Sequence, residues 1–154
     1  MLKTLTAYKC WANGELFDRL LQVHANAPSD PAHGMLRLLN HVYVVDRIFQ
    51  THLLGQPHGY TALNTTHTPS LPALWQAVQQ LDDWYVHYAA ALSAPAEQER
   101  IHFTFVDGKP ACMSRAEMLM HVVNHGSYHR GAVGELLHQS GLQAPHDVLT
   151  RFLN

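Results

Sequence analysis

Apolar residues recur at helical spacing in four separate stretches of this chain, and that recurrence points to an all-α fold. The first stretch runs from about Thr4 to His24 and carries Leu5, Tyr8, Trp11, Ala12, Leu16 and Leu20. The second opens at Asp30-Pro31, a capping residue followed by proline at the first helical position, and stops near Gly55. Along it lie Leu38, His41, Val42, Val45, Ile48, Phe49 and His52. The third starts at Ser70, with Pro72 in its first turn, and ends before Pro95. The fourth opens on Ser114-Arg115-Ala116-Glu117, the pattern of a capping box, and runs to about Ser140 with Gly141 as its stop.

The connections restrict how these rods can be arranged. A short link makes the first two helices antiparallel neighbours. The link from Gly55 to Pro69 is long and rich in Gly, Pro, Thr and Asn. Fully extended, it reaches on the order of 50 Å, whereas a helix of 22 residues is only about 33 Å long. It can therefore climb past a whole helix and start the third at the same end as the second. Ahead of the fourth helix, Ile101 to Val106 alternates in part, Asp107-Gly108 supplies a turn, and Lys109 to Met113 returns as a small hairpin. A short helix is expected around Val148 to Leu153.

Length and composition fit one domain over residues 1–154, because 154 residues with 47% hydrophobic and 14% charged content can bury a core. Net charge is −2 and the basic residues form no block, which argues against a nucleic-acid partner. No apolar run reaches the roughly 20 residues needed to span a bilayer, and the start lacks a signal-peptide pattern, so a cytoplasmic location is expected. Cys10 and Cys112 form neither a disulfide framework nor a redox pair.

The unusual number is 13 histidines against 10 Lys and Arg together. Three of them, His121, His125 and His129, fall at i, i+4 and i+8 on one face of the fourth helix. At this histidine frequency about one i, i+4 pair is expected by chance but only about 0.1 of such a triplet, so the triplet is the informative signal. Its ends are about 12 Å apart along the axis, too far for one ion with metal–nitrogen bonds of about 2.0–2.1 Å. One ion would take two adjacent members and a third ligand from elsewhere. His41 is the candidate, because it sits mid-helix among Leu38, Val42, Val45 and Ile48. Parallel second and fourth helices would bring it to His121 and His125; antiparallel ones would bring it to His125 and His129. The long link after Gly55 favours the antiparallel case. Three protein ligands with one open position characterise catalytic sites.

Asp46 and Glu135 are candidates for orienting a ligand or acting as a base, and Arg130 for binding an anion or pairing with Asp46. His121 and Tyr128 are placed near the site rather than on the ion. Trp11, Trp75, Trp84 and Tyr85 read as core or interface, and His58, His67 and His146 as solvated.

On these residues the chain resembles the DinB family of the DinB/YfiT-like superfamily. The matching segments are Tyr8-Lys9-Cys10-Trp11-Ala12-Asn13, Leu39 to Arg47 around His41, Phe105 to Lys109, and His121 to Gly131 with its His-Arg-Gly ending. The resemblance implies a four-helix bundle of up-down-down-up topology, frequently a homodimer. It also implies zinc or nickel held by His41, His125 and His129. Many relatives carry glutamine after His-Arg-Gly, where Ala132 stands here. Relatives resembling thiol-dependent S-transferases and isomerases imply a metal-dependent enzyme acting on a small molecule with a low-molecular-weight thiol, or else a hydrolase. A non-enzymatic metal-binding stress-response protein, or a dimeric interaction module, is the competing reading.

Overall fold

The longest local signals produce the longest elements. In the computed structural model, which describes residues 1–26 and 32–154, helix α5 spans Arg115–Gln139. The Ser114 side chain accepts from the Glu117 amide at 3.1 Å, and the Ser114 amide donates to Glu117 at 2.7 Å, so the capping box is complete. At the other end Gly141 takes φ +75°, and the amides of Gly141 and Leu142 donate to the carbonyls of His138 and Leu137. This paired closure satisfies carbonyls that the last turn leaves open.

Helix α1 spans Leu2–Asn26, two residues longer at each end than its apolar periodicity suggested. Helix α2 spans Ala32–Leu53; its anticipated start at Asp30-Pro31 lies outside the described residues. Helix α3 spans Leu71–Ala91, with Ser70 as its cap and proline in the first turn. Pro95 does not merely follow the end of α3: it sits in the first turn of a one-turn helix α4, Ala94–Glu97, where its fixed φ is favourable. Strands β1, Arg100–Thr104, and β2, Pro110–Ser114, pair antiparallel with Ile101 opposite Met113 and Phe103 opposite Ala111. Gly108, at φ +87°, carries the turn between them. Helix α6, Leu149–Leu153, closes the chain. No described helix is long and apolar enough to cross a membrane.

Contacts along the helices give their relative directions. On α2, Leu53, Phe49 and His41 meet Arg115, His121 and His125 of α5 in that order, so these two helices run antiparallel. Lys9 and Phe17 of α1 meet Asp82 and Trp75 of α3, again antiparallel. Helices α2 and α3 run the same way: Tyr85 donates to the Asp46 carbonyl at 2.6 Å, while Leu39 shares a cluster with Leu74 and Val78.

Two apolar clusters fill the interior. One gathers Phe49, Leu53, Tyr85, Met118, Leu119 and Val122 with Phe103 of the hairpin. The other gathers Phe17, Leu20, Leu39, Leu74, Val133 and Leu137. Outside both clusters lie the buried polar residues Lys9, Asn13, Asp46, Asp82 and Arg130, whose partners tie α1, α2, α3 and α5 together. The long link is strapped to α2. Arg37 donates to the Thr65 carbonyl at 2.7 Å, and Asn40 donates to Asn64 and Thr65 at 2.5 and 2.6 Å.

Candidate metal centre

A helix places residues four apart on one face, so His125 and His129 project together from α5 toward α2. The antiparallel run of α2 brings His41 to the same level. One ring nitrogen from each of His41, His125 and His129 lies within 4.8 Å of those of the other two. Ring centroids are 4.9, 4.8 and 4.5 Å apart, and the rings meet edge to face. Nε2 of His41 lies 3.1 Å from Nε2 of His125. Two ligands held tetrahedrally at about 2.0–2.1 Å from one ion stand about 3.3 Å apart. The donor set is therefore of the right kind and spacing for a divalent transition metal.

The state of the rings suits ligation. His41 Nδ1 lies 2.7 Å from the Leu63 carbonyl, an acceptor only, so the tautomer this contact favours carries its proton on Nδ1 and leaves Nε2 for a ligand. His125 is pushed down to about 3, by burial first and then by His129, His41, His121 and Lys9. His129 is lowered by burial and by His41. Neutral imidazole is the form that binds metal. The Nδ1 atoms of His125 and His129 are buried and have no hydrogen-bond partner among the described residues.

The other candidates have different surroundings. His121 is exposed and stays outside the three-ring group, its ring stacked 4.5 Å from Phe49 and 5.5 Å from His125. Tyr128 is 76% exposed, with its ring edge-on to His129 at 5.1 Å. Arg130 does not pair with Asp46. Its guanidinium meets Asp147 at 2.7 Å and Asn13 at 3.1 Å, because residues 142–148 fold back beside α1 and α5. Asp46 is engaged by Lys9 at 2.9 Å, and Glu135 by Gln139 at 3.0 Å, so neither orients a ring. His67 and His146 are exposed as expected, whereas His58 is half-buried against His52. Trp75 stacks on Phe17, and Tyr85 is buried. Cys10 and Cys112 are free thiols, in no disulfide.

Sequence reasoning missed Lys9. It is 1% exposed and bridges Asp46 and Asp82 at 2.9 and 2.5 Å, while Asn13 also donates to Asp82. Burial opposes its charge, but the two carboxylates outweigh burial and hold the ammonium well above its usual range. Its signal was present: Lys9 falls four after Leu5 and three before Ala12, on the apolar face. Also missed was the Leu63 carbonyl, which no side-chain pattern reports.

The lysine runs beneath Gly126. A methyl at Gly126 would stand 3.1 Å from Arg130 Nη1 and 3.3 Å from Lys9 Cε, and ion pairs pin both neighbours. Gly126→Ala is expected to lower the melting temperature, because overpacking costs about 1–3 kcal/mol and outweighs the helical gain. Gly131→Ala meets nothing within 4 Å among the described residues and is expected to raise it, helix propensity contributing up to about 1 kcal/mol. Thermal denaturation of the two variants checks both signs.

Asp46 is pushed up to about 6 from 3.8 by burial, against the pull of Lys9, and its Oδ1 has no hydrogen-bond partner among the described residues. Between those two values the folded chain retains a proton that the unfolded chain has released. Stability therefore falls as pH rises through this window and levels off above it. Asp46→Asn is expected to flatten that segment of the profile, measurable by urea unfolding at a series of pH values across it.

Two comparisons bear on this arrangement. The sequence model of the DinB family matches residues 1–154. Protein DinB of Bacillus subtilis (strain 168) is 25% identical over 161 aligned positions, covering 93% of this chain and 88% of the relative.

Proposed function

The chain belongs to the DinB family, and from that membership and the convergence of His41, His125 and His129 we propose that it is a metal-dependent enzyme acting on a small molecule. The observation that carries this reading is the 3.1 Å approach of two Nε2 atoms from different helices, with His129 within 4.8 Å of both. Zinc or nickel suits an all-imidazole donor set. A divalent ion with one position free lowers the pKa of a water or a low-molecular-weight thiol held there, which serves a hydrolase or a thiol-dependent S-transferase respectively. The pairwise helix directions support a four-helix bundle of up-down-down-up topology. A cytoplasmic homodimer completes the reading.

The chain's own residues prepare the site. The Leu63 carbonyl orients His41, and the strap through Asn40, Asn64 and Thr65 holds that carbonyl in place. Burial lowers the pKa of His125 and His129 and so favours their neutral rings. His121 and Phe49 form a flat wall beside the rings.

The test is consumption of a model electrophile by the metal-loaded chain, with and without added glutathione. Thiol-dependent consumption that disappears in His41→Ala supports the S-transferase branch, and thiol-independent consumption supports the hydrolase branch. Metal uptake with neither activity returns the chain to a non-enzymatic metal-binding or stress-response role.

A further inference from the structure

A pair of histidines outside the three-ring group also meets edge to face, slightly farther apart. His52 is in the last turn of α2, and His58 follows in the link. Their ring centroids are 5.2 Å apart and their planes meet at 82°. The pairs within the three-ring group have centroids at 4.5–4.9 Å and planes at 66–78°. His52 Nε2 and His58 Nδ1 are both buried, and among the described residues neither has a hydrogen-bond partner. A buried ring nitrogen without a partner costs free energy unless something meets it. Two such atoms on adjacent perpendicular rings invite one cation.

The backbone holds this pair in place. Gly55 takes φ +66°, and the amides of Gly55 and Gln56 donate to the carbonyls of His52 and Thr51 at 3.1 and 2.8 Å. This closure turns the chain back at the end of α2, and His58 arrives against the ring of His52. Phe103 packs on His52 at 4.6 Å and Phe49 at 6.3 Å, while Tyr60 lies 6.4 Å beyond His58. Burial and the neighbouring His58 lower the pKa of His52, which favours the neutral, ligating ring. Eleven residues of helix separate His52 from His41, about 16 Å along the axis.

We propose that His52 and His58 form a second divalent-metal site, distinct from the three-ring centre, with His52 Nε2 and His58 Nδ1 as protein ligands and water in the remaining positions. Imidazole pairs with open positions suit copper, nickel and zinc. This site stands independently of the function proposed for the three-ring centre.

The test is equilibrium dialysis of the full chain, first stripped with chelator, against nickel chloride. The single variants are His52→Gln, His58→Gln, His125→Ala and, as a control at an exposed histidine, His67→Gln. The expected result is that His52→Gln and His58→Gln each take up one nickel fewer per chain than wild type. His67→Gln takes up as many as wild type, and His125→Ala keeps the equivalent that the other two lose. Because His58 lies in the link, His58→Gln decides the matter even where His52→Gln loosens α2. Uptake by His58→Gln equal to wild type overturns the proposal and reduces any surplus nickel to an adventitious ion only.

Discussion

His125→Ala is expected to leave the chain without its divalent ion at the three-ring centre after dialysis that leaves wild type loaded. The substitution removes one corner of a near-equilateral triangle of rings, with centroids 4.9 Å from His41 and 4.5 Å from His129. Loss of a group that merely orients a ligand costs about 10–100-fold in metal affinity, so loss of a ligand itself is expected to cost at least about 100-fold. A second readout follows from linkage. An ion at 100 times its dissociation constant stabilises the folded state by about 2.7 kcal/mol, so zinc or nickel raises the melting temperature of wild type by more than that of the variant, which has lost this centre's share. Competition titration against a chromophoric chelator separates the three-ring centre from weaker uptake elsewhere. An affinity in His125→Ala matching wild type would remove the three-ring centre altogether.

Lys9→Met is expected to produce the largest loss of stability of any single change considered. The ammonium is the group that bridges Asp46 and Asp82, which are each 2% exposed. Methionine fills the stem but leaves two buried carboxylates facing each other without that cation. Breaking a buried ion pair by removing one partner costs about 3–5 kcal/mol. For a chain of this size that lowers the melting temperature by on the order of 10 °C. Adding Asp46→Asn and Asp82→Asn to Lys9→Met is expected to recover much of the loss, because the uncompensated charges go with the lysine. Melting of Lys9→Met within about 2 °C of wild type would show that the bridge contributes little.

The helices were legible because their signals are local. Capping at Ser114, the stop at Gly141, and apolar spacing in each segment act over one or two turns. The turn at Asp107-Gly108 was legible for the same reason, since glycine relieves the steric cost of a positive φ. Helix α4 was not legible, because proline serves equally after a helix and in the first turn of the next. The pairing of Arg130 was misread because Asp46 was the conspicuous acid. Its actual partner, Asp147, lies in an irregular tail with no periodicity to place it. His58 was misjudged because a polar loop gave no sign that it would fold back onto the end of α2.

What this sequence determined by itself is the set of rods and the faces they carry, including two histidines one turn apart on α5 and one mid-face on α2. Those properties follow from backbone geometry and hydrophobic periodicity, which act between near neighbours. Only the tertiary structure decided which groups meet across helices: Lys9 with Asp82 from 73 residues away, Arg130 with Asn13 from 117, and the Leu63 carbonyl with His41. Such contacts depend on helix direction, on the path of the long link, and on the need to pair every buried charge, none of which a local pattern encodes.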